Sequence, residues 1–110
     1  SDQNVLRLVQ YINAHYTQDL TIANLLEDVP LSRRSIESKF KKVMGMGIYQ
    51  YVLDCRISRV AQLLVTTGRS LSDIASEAGI QDNNSLTKLF KKKMNCTPIE
   101  YRRKFCAFSS

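Results

Sequence analysis

At 110 residues the chain is long enough for one compact domain and too short for two ordinary ones. Sixteen Lys and Arg against ten Asp and Glu leave a net charge of +6 and a pI of about 9.4, a balance that points to an anionic partner, nucleic acid foremost. Three cysteines (Cys55, Cys96, Cys106) without CxxC spacing argue against a disulfide framework or a zinc site, no apolar run approaches the roughly 20 residues of a membrane span, and no signal peptide is visible, so a cytoplasmic setting without membrane contact is expected.

Val5–Tyr16 reads as a helix, because Val5, Leu8, Val9, Ile12 and Tyr16 recur at 3- and 4-residue spacing. His15, the one histidine, has no carboxylate or cysteine cluster near it and reads as a surface or half-buried structural residue. Thr21–Val29 is expected as a short helix capped by Thr21, with Ile22, Leu25, Leu26 and Val29 inward and Pro30 as its stop. Ser32 caps the next helix, Arg33–Met44, whose inward residues are Ile36, Phe40 and Val43. Gly45 takes the left-handed position at its end. Two short helices around a tight turn make a helix-turn-helix.

Ile48–Thr67 follows as one long helix, roughly 27 Å if helical over most of its length. Val52, Ile57, Val60, Ala61 and Leu64 are its expected inner residues, and Gly68 its end. Ser70 then caps a helix with Asp73 as a capping-box-like partner; Leu71, Ile74, Ala75 and Ala78 face inward and Gly79 ends it. Asp82 caps Asn83–Met94, with Leu86, Leu89 and Phe90 inward and Asn95 in the left-handed position. Thr97-Pro98 opens a last helix through Lys104, and Phe105–Ser110 reads as a tail. No stretch has strand periodicity. The fold class is all-α, about seven helices: two helix-turn-helix subdomains (about 5–47 and 68–104) joined by a long central helix (about 48–67).

The two subdomains are copies. Leu25 and Leu26 match Ile74 and Ala75 at an offset of 49; Ile36, Phe40, Lys41, Lys42, Met44 and Tyr51 match Leu86, Phe90, Lys91, Lys92, Met94 and Tyr101 at an offset of 50. The second turn is therefore one residue longer than the first. With Ile36 inward, Arg34, Ser38 and Lys41 point outward at about 100° per residue, flanked by Ser35, Glu37 and Lys42. The second copy presents Asn84, Lys88 and Lys91, flanked by Ser85, Thr87 and Lys92. Arg, Lys, Asn, Ser and Thr can all meet base edges in a major groove. The later Lys41, Lys42, Lys91 and Lys92 suit phosphates better, as do Ser32, Asp82 and Asn83 near the helix starts. Both outward helices are basic, while the helix before each carries acids: Glu27 and Asp28, then Asp73 and Glu77. Glu37 is expected to pair with Lys41 at i,i+4, with acceptance from cytosine N4 and repulsion of phosphate as its other readings.

These residues resemble the DNA-binding domain of AraC/XylS-type transcription regulators. The resemblance covers Val5 to Lys104. It is carried by Leu31-Ser32 through Phe40-Lys41-Lys42 and Gly45; by Tyr51, Arg56-Ile57 and Leu63-Leu64; by Ser72-Asp73-Ile74-Ala75 through Gly79; by Asp82 through Lys92; and by Thr97-Pro98 with Tyr101-Arg102. Val29 to Ser35 is similar to the sugar-responsive, xylose-regulator-like branch. The resemblance implies two homeodomain-like helix-turn-helix units, each placing a helix in one of two successive major grooves of a double-stranded operator. It further implies recruitment of RNA polymerase, usually for activation, and a sensor or dimerisation domain ahead of this one. The start at Ser1 fits an origin in such a longer regulator. Its base-contacting places fall on Arg34, Glu37 and Ser38, and on Asn84, Ser85, Thr87 and Lys88. Ile80 and Leu86 stand where the family often has Phe, Asn95 where Gly is usual, and Ser38 where a larger basic residue is common.

No cofactor, metal or enzymatic activity is expected: there is no triad, metal set or phosphate-cradling glycine loop, and a reactive cysteine of the DNA-repair type has no visible site. The rival function is a stand-alone or protein-interaction helical module without specific DNA reading.

Overall fold

A computed structural model describes residues 3–106. Its helices are α1 (Gln3–His15), α2 (Ile22–Leu25), α3 (Arg33–Met44), α4 (Ile48–Thr66), α5 (Leu71–Ala78), α6 (Asn83–Met94) and α7 (Pro98–Phe105). There is no strand among the described residues. The chain divides into two compact units, Ser1–Leu53 and Asp54–Ser110, so the division falls inside α4.

In the first unit α1 packs on α2 and α3. Val5, Leu8 and Ile12 of α1, Leu25 of α2, Ile36 and Phe40 of α3, and Ile48 and Val52 of α4 are buried. Phe40 is fully enclosed and meets Tyr51 edge to face at 5.8 Å, and the Tyr51 hydroxyl donates to Asn13 Oδ1 at 2.7 Å. An aromatic pair of this geometry adds about 0.5–1.5 kcal/mol to the area it buries. In the second unit Ile57, Val60, Leu63 and Leu64 of α4 join Ile74, Ala75, Ala78, Ile80, Leu86 and Phe90 in one core. Phe90 meets Tyr101 edge to face at 5.3 Å, repeating the Phe40–Tyr51 pair 50 residues on. Ile80 and Leu86 fill this core with aliphatic side chains, 6% and 0% exposed.

Several boundaries and orientations differ from the sequence expectation. The helix after Thr21 ends at Leu25, not Val29. Beyond it the backbone makes i→i+3 bonds, Glu27 N–H to Asn24 O and Val29 N–H to Leu26 O, and Pro30, which lacks an N–H, cannot continue the helical ladder. Of the four residues expected inward there, only Leu25 is buried; Ile22, Leu26 and Val29 are half-buried. The second copy has one residue more in this stretch, and there α5 completes eight residues before Gly79 closes it at φ 82. Val43 is 45% exposed, because it falls in the last turn of α3, past the buried pair Ile36 and Phe40. Leu89 and Ala61 are half-buried at the core's margin, whereas Leu63 and Ile48 are buried without having been expected. Of the expected tail, Phe105 belongs to α7 and Cys106 is the residue that closes it; 107–110 lie outside the described residues.

The end of α4 is not made by Gly68. Thr66 and Thr67 hydroxyls donate to the carbonyls of Gln62 and Leu63, both at 2.7 Å. The Arg102 guanidinium donates from Nε to Leu64 O and from Nη2 to Thr67 O, both at 3.1 Å. A cation at the negative end of the helix dipole, bonded to carbonyls the helix leaves open, is stabilising. Arg102→Met keeps the apolar stem and removes both donors. Because hydrogen bonds to a charged group contribute about 1.5–3 kcal/mol, urea unfolding should register a loss on that order, and a change below about 0.5 kcal/mol would make the cap dispensable.

Candidate nucleic-acid interface

α3 and α6 are each fixed at both ends by local chemistry. The Ser32 side chain accepts the Ser35 N–H at 3.2 Å, and Gly45 closes α3 at φ 76. Asp82 accepts the Ser85 N–H at 2.8 Å, and Asn95 closes α6 at φ 65. Asn95 is the sole non-glycine at positive φ among the described residues, and its short amide side chain suits that conformation. Thr97 and Glu100 form a full capping box at the start of α7; at Ser70 the side chain accepts the Asp73 N–H at 3.1 Å.

The outer faces repeat as closely as the inner ones. From Ser32 to Met46 and from Asp82 to Cys96, buried, half-buried and exposed positions follow the same order residue for residue. Arg34, Ser38, Lys41 and Lys42 are exposed on α3; Asn83, Asn84, Lys88, Lys91 and Lys92 are exposed on α6. Ser35, Glu37, Ser85 and Thr87 are half-buried beside them, and Ser32 stands exposed at the start of α3. Each helix thus presents its polar set on one face, opposite the enclosed phenylalanine.

The structure reassigns several residues. Glu37 pairs with Arg33, whose Nε donates to Oε1 at 2.9 Å, and not with Lys41. Asp82 is poorly suited to phosphate. The Ser85 backbone N–H first, then its side chain, hold this carboxyl below the usual carboxylate range, so it carries full negative charge at neutral pH and serves as the cap of α6. The contrast between basic and acidic helices also weakens. Glu27 and Asp28 lie in the turn after α2. Glu77 accepts from Arg59 at 2.8 Å and Arg69 at 2.7 Å, and hydrogen bonds from Arg69 and then Arg59 hold its carboxyl below the usual range.

Two contacts escape sequence reasoning. Lys93 leaves the Lys91-Lys92 pair and bonds Asp54 of α4 at 2.8 Å, tying the last turn of α6 to its scaffold. Its counterpart in the first copy is the apolar Val43, so the repeat gave no hint of a partner. Arg33 is the other, adjacent to the outward set and bonded to one of its members. His15 is half-buried, stacked on Tyr11 at 4.2 Å with Nδ1 donating to Tyr11 O, and the three cysteines are half-buried and form no disulfide with one another. Among the described residues no group of His, Cys, Asp and Glu is arranged to hold a metal ion, and no helix is long and apolar enough to cross a membrane.

A helix-turn-helix domain family model matches residues 25–104, most of the chain. The chain belongs to the AraC/XylS family. It is 34% identical over 98 residues to the HTH-type transcriptional activator RhaR of Mannheimia succiniciproducens, covering 89% of this chain and 36% of that protein. The xylose operon regulatory protein of Escherichia coli K12 is 28% identical over 102 residues, covering 93% of this chain and 26% of that protein. The chain thus spans roughly a third or a quarter of these relatives. Among solved structures, the C-terminal domain of AraT, a response regulator from Geobacillus stearothermophilus, superposes with a TM-score of 0.90 at 27% identity, covering 98% of this chain and 92% of that one. The DNA-binding domain of AdpA, solved with a target DNA, shares the fold (TM-score 0.85, 21% identity, 92% and 91% covered). This AraC/XylS-family chain is accordingly a DNA-binding domain with two helix-turn-helix elements, and its described elements are all helices.

Proposed function

We propose that the chain binds a double-stranded operator by placing α3 and α6 in two successive major grooves, as one part of a longer cytoplasmic regulator that recruits RNA polymerase and carries a sensor or dimerisation domain. The observation that carries the reading is the duplicated exposed face: one register of burial, two helices, and basic side chains at matching places. Base contacts fall to Arg34, Ser35, Glu37, Ser38, Asn84, Ser85, Thr87 and Lys88. Phosphate contacts fall to Ser32, Lys41, Lys42, Asn83, Lys91 and Lys92. The role in this reading is binding and not catalysis.

Salt separates this reading from a protein-interaction module. With four exposed lysines at phosphate positions, the logarithm of affinity for a duplex recovered by the chain from a randomised library should fall with that of salt, by about 0.9 per phosphate contact. A flat response between about 50 and 200 mM salt would refute it. Lys88→Ala should cost about 1–3 kcal/mol on the recovered duplex and far less on random DNA. Equal losses on both would make Lys88 a phosphate contact.

A further inference from the structure

We propose that Arg33 and Glu37 act as one unit: Arg33 is a positioning residue that holds the Glu37 carboxylate as an acceptor-only reader of an exocyclic amino group, cytosine N4 or adenine N6, in the half-site under α3. The inference rests on the DNA-reading function above and names what one of its two heads selects.

The pair is local and in the open. Arg33 Nε donates to Glu37 Oε1 at 2.9 Å, and the two side chains are 67% and 43% exposed. Glu37 also borders a cleft of about 360 Å³ shared with Lys41 and Tyr49, so its carboxylate is reachable from solvent. Lys41, one turn on from Glu37, takes no part in the ion pair. An exposed i,i+4 pair adds only about 0.3–0.5 kcal/mol to stability, so a structural account of the bond is thin.

On DNA the same geometry has a purpose. A lone carboxylate entering a groove walled by phosphates is repelled and free to swing away. The guanidinium neutralises it locally and fixes its direction. What the carboxylate then meets decides binding. Cytosine N4 and adenine N6 donate to it, whereas guanine O6 and N7 and thymine O4 present only acceptors and repel it. The discrimination is therefore partly exclusion. The second head lacks the device: Asn83 and Thr87 stand at the matching positions, and a hydroxyl both donates and accepts. The two half-sites consequently differ in sequence, which fixes the direction in which the chain lies on its operator.

The test is selection from a duplex library randomised over two helical turns, run with the unmodified chain, Glu37→Gln and Arg33→Met, followed by affinity measurements. The unmodified chain should enrich cytosine or adenine at one position. Replacing that base by 2-pyrimidinone or purine, which lack only the amino group, should cost it about tenfold. Glu37→Gln adds a donor and should admit guanine or thymine at that position alone. Arg33→Met should blur the preference there and leave other positions sharp. The inference is overturned if 2-pyrimidinone or purine in place of the selected base costs the unmodified chain nothing, or if Arg33→Met weakens all sequences equally, which would make Arg33 a phosphate contact. Recovery of no enriched sequence by the unmodified chain would instead overturn the DNA-reading function itself.

Discussion

Replacing Phe90 by alanine will cost the second unit about 3–5 kcal/mol, a large part of the 5–15 kcal/mol that holds a typical domain folded. Phe90 is fully enclosed and is the inner anchor of α6, set among Ile57, Val60, Leu64, Ile74 and Leu86 and against the edge of Tyr101. Its removal opens a cavity and ends the aromatic contact, and α6 then has only Leu86 as a fully buried anchor. Thermal unfolding should show the second unit melting first. Specific DNA affinity should fall with it although no DNA-facing side chain has changed. Phe90→Leu, which keeps most of the volume, should lose much less. Phe40→Ala is the matched change in the first unit, and the two copies should respond alike. A Phe90→Ala chain that melted within about 1 kcal/mol of the parent would mean that the core closes over the gap, contrary to the cost such cavities carry.

The features legible in the sequence were those set by backbone chemistry over a few residues. Ser32, Asp82 and Thr97 cap where hydroxyl or carboxylate precedes a periodic run, and Gly45 and Asn95 sit where a helix must turn left-handed. The outward faces followed from period alone: Arg34, Ser38, Asn84 and Lys88 are exposed where Ile36 and Leu86 are buried. Pairings chosen by three-dimensional competition were not legible. Glu37 had cations at both i−4 and i+4, and helix order favours the one at i+4, yet the bond is made to Arg33 at i−4. Lys93 read as one of three like charges until α4 brought Asp54 to it. Arg102 was visible as a family residue, yet its task depends on α7 reaching the last turn of α4, a contact 35 to 38 residues away in sequence. Val43 kept the inward phase and still lies exposed, because phase gives direction and says nothing about where the core stops.

The central helix is where the two-groove proposal meets its hardest test. α4 is continuous from Ile48 to Thr66, about 28 Å at 1.5 Å per residue, and it gives Val52 to the first unit's core and Val60 to the second's. Adjacent major grooves on one face lie about 34 Å apart. A helix that keeps its hydrogen-bond ladder across the division at Leu53 and Asp54 would act as a spacer of set length. Ser58 is exposed on this helix, so a proline there removes no core side chain, but it deletes one ladder bond and clashes with the preceding turn. Ser58→Pro should reduce a footprint over two half-sites to one, with an affinity loss of about a hundredfold or more as the second contact ceases to be intramolecular. Circular dichroism and binding to single half-site duplexes would establish that both units remain folded. A folded Ser58→Pro chain that still protected both half-sites at unchanged affinity would show that α4 only tethers the two heads and that spacing is set by the DNA.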